Sequence, residues 1–247
     1  MQRLVESFIS SSRLWERMKW VVERGSMAEV RDRAAIFHAC LSLDESGNYL
    51  SLEIDGEQKR GPEQFGAFNK VIKRAFRKGS MAQEDDKDWL YYLWAGPRSP
   101  LFGKDKMATF ESYFIEDKAS QKETRNPWFD FINNKDFCAH VCQDMGVDHG
   151  GLIVNGHVPV KVEKGEDPVK RGGNAVTIDG AFSEAYGDRG YTLILTDSGE
   201  FLAEHHGFKD PVSVVRSGED IIPTMRKIRT YDSVRLIKHT EQGQRLN

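Results

Sequence analysis

The chain has 247 residues, 39% hydrophobic and 30% charged, a composition that can bury a substantial core and excludes a disordered or membrane-embedded chain. Its 35 Lys and Arg stand against 38 Asp and Glu, and the net charge of -3 gives no broad basic footprint for nucleic acid. No apolar run approaches the roughly 20 residues that cross a bilayer, so no membrane partner is expected. Arg3, Glu6, Arg13, Glu16 and Arg17 break up the apolar N-terminus, which is not a signal peptide, and a cytoplasmic location follows by default.

Leu4, Phe8, Ser11, Trp15, Met18 and Val22 recur at helical spacing, which predicts an N-terminal helix within 1–25 that stops at Gly25. Ala34 to Cys40 is an apolar run bearing His38, read as a buried strand that delivers an imidazole near its end. Asp44-Glu45-Ser46-Gly47-Asn48 predicts a hairpin turn. Tyr49 to Ile54 then alternates as a half-buried strand does, and Asp55-Gly56 marks the next turn, so a first His-bearing strand and hairpin fill 34–60.

The pattern turns helical over 61–146. Phe65, Phe68, Ile72 and Phe76 share one face, and Lys70, Lys73, Arg74, Arg77 and Lys78 form a face expected to be solvated. Gly79 to Asp88 reads as a polar linker, and the aromatic run Asp88 to Trp94 as core packing. In Gly96 to Met107 two prolines and two glycines hold turns around Arg98, Lys104 and Lys106. This segment fits either a phosphate-binding loop or a solvated connection into the helix Met107 to Phe114. It has no Gly-x-x-x-x-Gly-Lys-Ser/Thr spacing and is not a nucleotide P-loop. Asn126-Pro127 looks like a helix start.

Three cysteines argue against a disulfide framework. Cys138 and Cys142 flank His140, but Cys138, Val141, Cys142 and Met145 share one face of a helix ending at Gly146, which predicts core packing rather than zinc binding. Leu152 to Val154 is a second apolar run, and it ends in Asn155-Gly156-His157. Either histidine alone reads as a ligand or as an ordinary loop residue; the repeated pattern favours a site at strand ends. Beyond His157, within 152–208, Val158–Val162, Ala175–Ile178, Tyr191–Leu195 and Phe201–Ala203 read as strands. The polar tail, 209–247, holds one predicted strand at Val234–Ile237. No internal repeat is visible, which excludes a solenoid.

The motifs "NGHVPVK" at 155–161, "KGEDPVK" at 164–170, "VTIDGAFSEAY" at 176–186 and "GYTLI" at 190–194 resemble the C-terminal part of class III fructose-1,6-bisphosphatase, a bacterial calcineurin-like metallophosphatase. "RGSM" at 24–27, "FHAC" at 37–40, "YLWAGPRSPLFGKDKMATFESYFIEDK" at 92–118 and "KETRNPW" at 122–128 extend the likeness from about residue 14 to residue 208. "FHAC", "NGHVPV" and "IDGAFS" are more distantly similar to phosphoprotein phosphatases, in which the corresponding histidines bind metal. The long "LFGKDKM" region favours the sugar-phosphatase pattern.

The resemblance implies a two-metal phosphohydrolase, normally using Mn2+, that removes the 1-phosphate of fructose 1,6-bisphosphate in gluconeogenesis. Two divalent ions about 3.5–4 Å apart serve such in-line displacements. It also implies His38 and His157 as metal ligands, with Arg98, Lys104, Lys106 and Lys161 as candidate phosphate contacts and no catalytic acid or base identified in the chain. The implied fold is α/β (α+β): the C-terminal part of an α/β/β/α metallophosphatase sandwich with a helical, aromatic-rich insertion, a single partial domain over 1–247.

Several family motifs are absent. Asp-x-His, Gly-Asp-x-x-Asp-Arg-Gly and Gly-Asn-His-Asp/Glu supply most ligands in this superfamily, and none occurs here; Gly187-Asp188-Arg189-Gly190 is too short to be the second. Ala181 replaces a second Gly, and Asp188-Arg189 replaces apolar residues. The expectation is a C-terminal fragment with little or no activity alone. It would be unstable or oligomeric, or completed by a separate N-terminal chain. A non-catalytic sugar-phosphate-binding or regulatory module is the alternative, recognised by ligand-induced stabilisation without hydrolysis.

Overall fold

The helical period of the first 25 residues is cut in two at Ser11 in the computed structural model, which describes residues 2–78, 84–147, 150–180, 187, 189–206, 210–218, 220 and 222–246. Helix α1 spans Gln2–Ser10 and α2 spans Ser12–Arg24. Three consecutive serines meet there. Ser10 Oγ bonds back to Ser7 O at 3.2 Å and Ser11 adopts extended backbone, so local side-chain bonding ends one helix where the apolar period alone would continue it.

The chain forms two compact units, residues 1–29 with 41–127 and residues 30–40 with 128–247. In the first, strands β3 (Ser51–Ile54) and β4 (Glu57–Arg60) pair antiparallel across the predicted Asp55-Gly56 turn, where both residues have positive φ as a two-residue hairpin loop requires. Helix α3 (Glu63–Lys78) buries Phe65, Phe68, Val71 and Ala75. Its Gln64 side chain donates to Leu50 O and Lys59 O and pins the helix to the hairpin.

Helix α4 (Glu84–Ala95) begins inside the stretch that composition reads as a linker, of which residues 79–83 lie outside the described set. Arg74 explains the difference. It bonds Asp55 at 2.8 Å and the buried Asp86 at 2.6 Å, so a residue expected on a solvated face anchors the polar start of α4. On α4, Trp89 and Tyr92 pack against Phe68 and Leu93 is buried, while Tyr91 and Trp94 stay exposed. The aromatic run is therefore core on one face only. Helix α5 spans Thr109–Phe114.

A four-stranded sheet, whose strands after β1 lie wholly in the second unit, has the order β1 (Ala28–Arg31), β2 (Ala34–Phe37), β5 (Leu152–Asn155), β6 (Ala175–Thr177). Strands β2, β5 and β6 run parallel, pairing Ile36 with Val154 and Asn155 with Thr177. All four residues of β5 are buried, as a central parallel strand demands of a continuous apolar run. A second, antiparallel sheet has the order β7 (Arg189–Leu195), β8 (Gly199–His206), β9 (Thr224–Thr230). Ala34, Leu152, Val154 and Val176 of the first sheet share one core with Leu202 of β8, flanked by Leu193, Leu195 and Ile228.

Helix α6 (Trp128–Phe131) follows Pro127, and α7 (Lys135–Asp144) packs against β5. Asn134 caps α7 by accepting from the backbone N–H groups of Asp136 and Phe137. Cys138, Val141 and Cys142 are fully buried as the helical spacing predicts, and burial raises the Cys138 thiol to about 12 and the Cys142 thiol to about 11. Gly151 admits this packing, since a Cβ there would stand 2.5 Å from Val147 Cγ1 and 3.0 Å from Cys142 Sγ. The chain is thus mixed α/β, with a largely parallel sheet beside an antiparallel one.

Three predicted strands or strand-only regions differ. Val158–Val162 is not a strand, because Pro159 lacks a donor and a 3-10 turn occupies Val162–Lys164. The tail contains helix α8 (Pro211–Ser217), capped by Asp210, and α9 (Glu241–Arg245). The last strand lies at Thr224–Thr230 rather than Val234–Ile237. Its charged composition hides it, since Arg226 pairs with Asp167 and Arg229 with Glu200. Among the described residues no helix is long and apolar enough to cross a membrane.

Candidate functional site at the carboxyl edge of the parallel sheet

Strands β2, β5 and β6 end side by side, and each hands a polar side chain to the same edge: His38 directly after β2, His157 two residues after β5, and Asp179 two residues after β6. The carboxyl edge of parallel strands is where open α/β sheets place ligands, because the chain leaves the ladder there and side chains replace it. His38 Nε2 and His157 Nδ1 face each other at 3.0 Å, with ring centroids 4.9 Å apart and the rings inclined at 63°. A hydrogen bond at this distance requires one ring to donate and the other to accept.

His157 is held unusually. Its φ is +71°, and Val158 N–H donates to Gly156 O at 2.9 Å, closing a three-residue turn of the strained γ type around it. Strain of this kind persists only where the surroundings over-determine it, and it concentrates at sites. Gly156 N–H donates to His38 O at 2.8 Å, which ties the two histidine segments together. Asp179 borders the same glycine: a Cβ on Gly156 would lie 3.6 Å from Asp179 Cβ and 3.9 Å from its Oδ2.

The His38 imidazole is held below its ordinary value by loss of water first and by His157 second, while the Asp179 carboxylate opposes the shift. Protons therefore bind the unfolded chain before the folded one. Any stability His38 contributes is full above the ordinary value of 6.5 and is lost as pH falls through the lower folded value. In chelator-treated protein the urea midpoint is expected to drop from pH 7.5 to pH 5, with a shallower drop in His38→Gln. Parallel curves for the two proteins would contradict the assignment.

Lys161, four residues past His157, is exposed, and its backbone N–H donates to Glu166 at 3.1 Å. Arg98, Lys104 and Lys106 lie in the other unit. There the loop is ordered: Arg98 has φ +68°, its carbonyl accepts from Ser42 Oγ, and Asn126 N–H donates to Gly103 O at 3.0 Å. Lys104 pairs with Glu123, and Lys106 Nζ donates to Ser120 O at 2.8 Å. Among the described residues, no group of three or more His, Cys, Asp or Glu is placed to hold a metal ion.

Asp179 is the site residue that sequence reading missed. The signal was present, because the predicted strand Ala175 to Ile178 is a third run followed by a polar residue at its end. Ala181 and Asp188, where the sequence departs from the resembled pattern, lie outside the described residues.

The profile of the family described as "Firmicute fructose-1,6-bisphosphatase" matches residues 1–247. The chain is 35% identical over 249 residues to fructose-1,6-bisphosphatase class 3 of Ligilactobacillus salivarius (strain UCC118), covering 98% of this chain and 38% of that protein. It is 36% identical over 251 residues to the protein of the same name from Staphylococcus epidermidis (strain RP62A), covering 100% and 38%. The corresponding protein of Fusobacterium nucleatum is 34% identical over 250 residues, covering 98% and 39%. No solved structure matches the chain. This chain spans a little under two fifths of the length of these curated relatives. Matched from end to end by the family profile, the chain belongs to the Firmicute fructose-1,6-bisphosphatase family.

Proposed function

We propose that the chain contributes the two-histidine part of a metal-dependent phosphohydrolase that removes the 1-phosphate of fructose 1,6-bisphosphate, a gluconeogenic reaction. The facing pair His38 Nε2 and His157 Nδ1 is the observation that carries this reading. With metal–nitrogen bonds of about 2.1 Å, two nitrogens at right angles around one ion lie about 3.0 Å apart, and the pair is separated by 3.0 Å. Neutral imidazoles suit a borderline ion such as Mn2+, and the lowered proton affinity of His38 keeps its ring neutral at neutral pH. A divalent ion so held would act as a Lewis acid on a phosphoryl oxygen. His38 and His157 would orient it, and Asp179 would supply a nearby negative charge. Lys161, in the same unit as the histidine pair, remains a candidate phosphate contact.

In the same proposal the helix, parallel sheet and antiparallel sheet correspond to layers of the calcineurin-like α/β/β/α sandwich. By itself the chain holds a divalent ion weakly, because two imidazoles neutralise no charge and leave most coordination positions to water. Completion by further chain, or by a separate one, would supply the carboxylates.

Adding Mn2+ to the purified chain is expected to broaden the ring resonances of His38 and His157 before those of His140, His205 and His239. Phosphate release from fructose 1,6-bisphosphate is expected to be slow at best and absent in His157→Ala. Uniform broadening of all histidines, or fast turnover that survives His157→Ala, would sink the reading.

A further inference from the structure

We infer that Asn155 and Thr177 are positioning residues for the histidine pair: a buried side-chain clamp that spans the ends of β2, β5 and β6 and sets the distance between His38 and His157. The inference rests on the reading of that pair as the site. Asn155 and Thr177 are 3% and 4% exposed, and they are direct partners in the parallel register of β5 and β6. Thr177 Oγ1 donates to Asn155 Oδ1 at 2.8 Å, and Asn155 Nδ2 donates to Ala39 O at 2.9 Å. A polar pair this deep is kept only when its bonds are made, and here the amide uses both its donor and its acceptor.

What the clamp holds follows from where the backbone ladder stops. Strand β2 ends at Phe37, so His38, Ala39 and Cys40 lie beyond its pairing with β5. Past that point Gly156 N–H to His38 O is one tie across the gap, and the Asn155 amide on Ala39 O is the second, on the next carbonyl. Two ties to consecutive carbonyls fix both the position and the tilt of the His38 peptide; one alone would leave it free to pivot. Thr177 in turn prevents the Asn155 amide from rotating, since its hydroxyl marks the oxygen side. Just past β6, Ile178 N–H donates to Asn155 O at 2.8 Å, and the next residue is Asp179, so the same clamp registers all three site side chains.

The test uses the full chain labelled with 15N at histidine. In chelator-treated protein at fixed pH, Thr177→Val is expected to shift the ring nitrogens of His38 and His157 away from their hydrogen-bonded values. Thr177→Ser, which keeps the hydroxyl, is expected to restore them. With Mn2+ alone as the probe, the concentration that half-broadens these rings is expected to rise about 10-fold or more in Thr177→Val. Thr177→Ala removes the same hydroxyl, so the comparison stands on whichever variant folds. A purely structural role would lower the unfolding midpoint while leaving ring shifts and Mn2+ response as in the parent, and that result overturns the inference. If the parent itself gives no selective Mn2+ response, the metal reading of the pair fails, and the metal-free ring shifts still decide whether the clamp sets its geometry.

Discussion

Trp128→Ala is expected to destabilise the second unit by about 3–5 kcal/mol, the range for emptying a large aromatic from a closed core. Trp128 is fully buried, and its ring meets Phe37 at 5.4 Å and Phe137 at 5.5 Å, both edge-on. The indole therefore joins the end of β2 to α7, and the two rigid phenyl rings left by its removal cannot collapse to fill the void. Because Phe37 precedes His38, the damage should reach the site. Urea unfolding followed by near-UV circular dichroism should show a large drop in midpoint, and hydrogen exchange should show lost protection at residues 36–39. A loss below about 1 kcal/mol would mean that the core repacks, contrary to this expectation. Trp128→Phe should cost less, since a six-membered ring is kept between Phe37 and Phe137.

Arg229→Met is expected to cost a comparable amount, about 3–5 kcal/mol, because it strands a buried carboxylate. Glu200 is fully buried. Arg229 grips both its oxygens, with Nη2 to Oε1 at 2.7 Å, and Tyr231 OH donates to Oε1 at 3.1 Å. The β8–β9 register shifts between Glu200 and Phe201, the irregularity at which Glu200 meets its partner. Arg229 Nη1 also reaches Gly151 O at 3.3 Å, just before β5, so the pair links the antiparallel sheet to the strand that carries His157. The guanidinium keeps some exposure, which favours the lower end of the range. Glu200→Gln in the Arg229→Met background should recover much of the loss, since the uncompensated charge is what costs. Equal instability of the double variant, or strong salt dependence in the parent, would contradict this account.

Legibility in the sequence followed burial. Ala34–Phe37, Leu152–Asn155 and Ala175–Thr177 were readable as strands because parallel strands covered on both faces are largely apolar, and helix α7 because its buried positions fall at helical spacing. His38 and His157 stood out as polar ends of apolar runs. Strand β9 and the start of α4 were hidden because their residues are charged, and Arg229, Arg226 and Arg74 satisfy them through partners distant in sequence. The break at Ser11 was hidden because hydroxyl bonding to the backbone leaves no mark on the apolar period.

The sequence by itself determined the strand and helix segments with apolar periodicity, the burial of the three cysteines, the family likeness and the two histidines as candidates. Only the tertiary structure decided that those histidines, 119 residues apart in the chain, meet at 3.0 Å, that Asp179 joins them, and that Asn155 and Thr177 lie beneath. Periodicity is a property of each segment and survives in one dimension. The order β2-β5-β6 brings three separate strand ends to one edge, and that adjacency comes from non-local pairing and from polar bonds that no local pattern encodes.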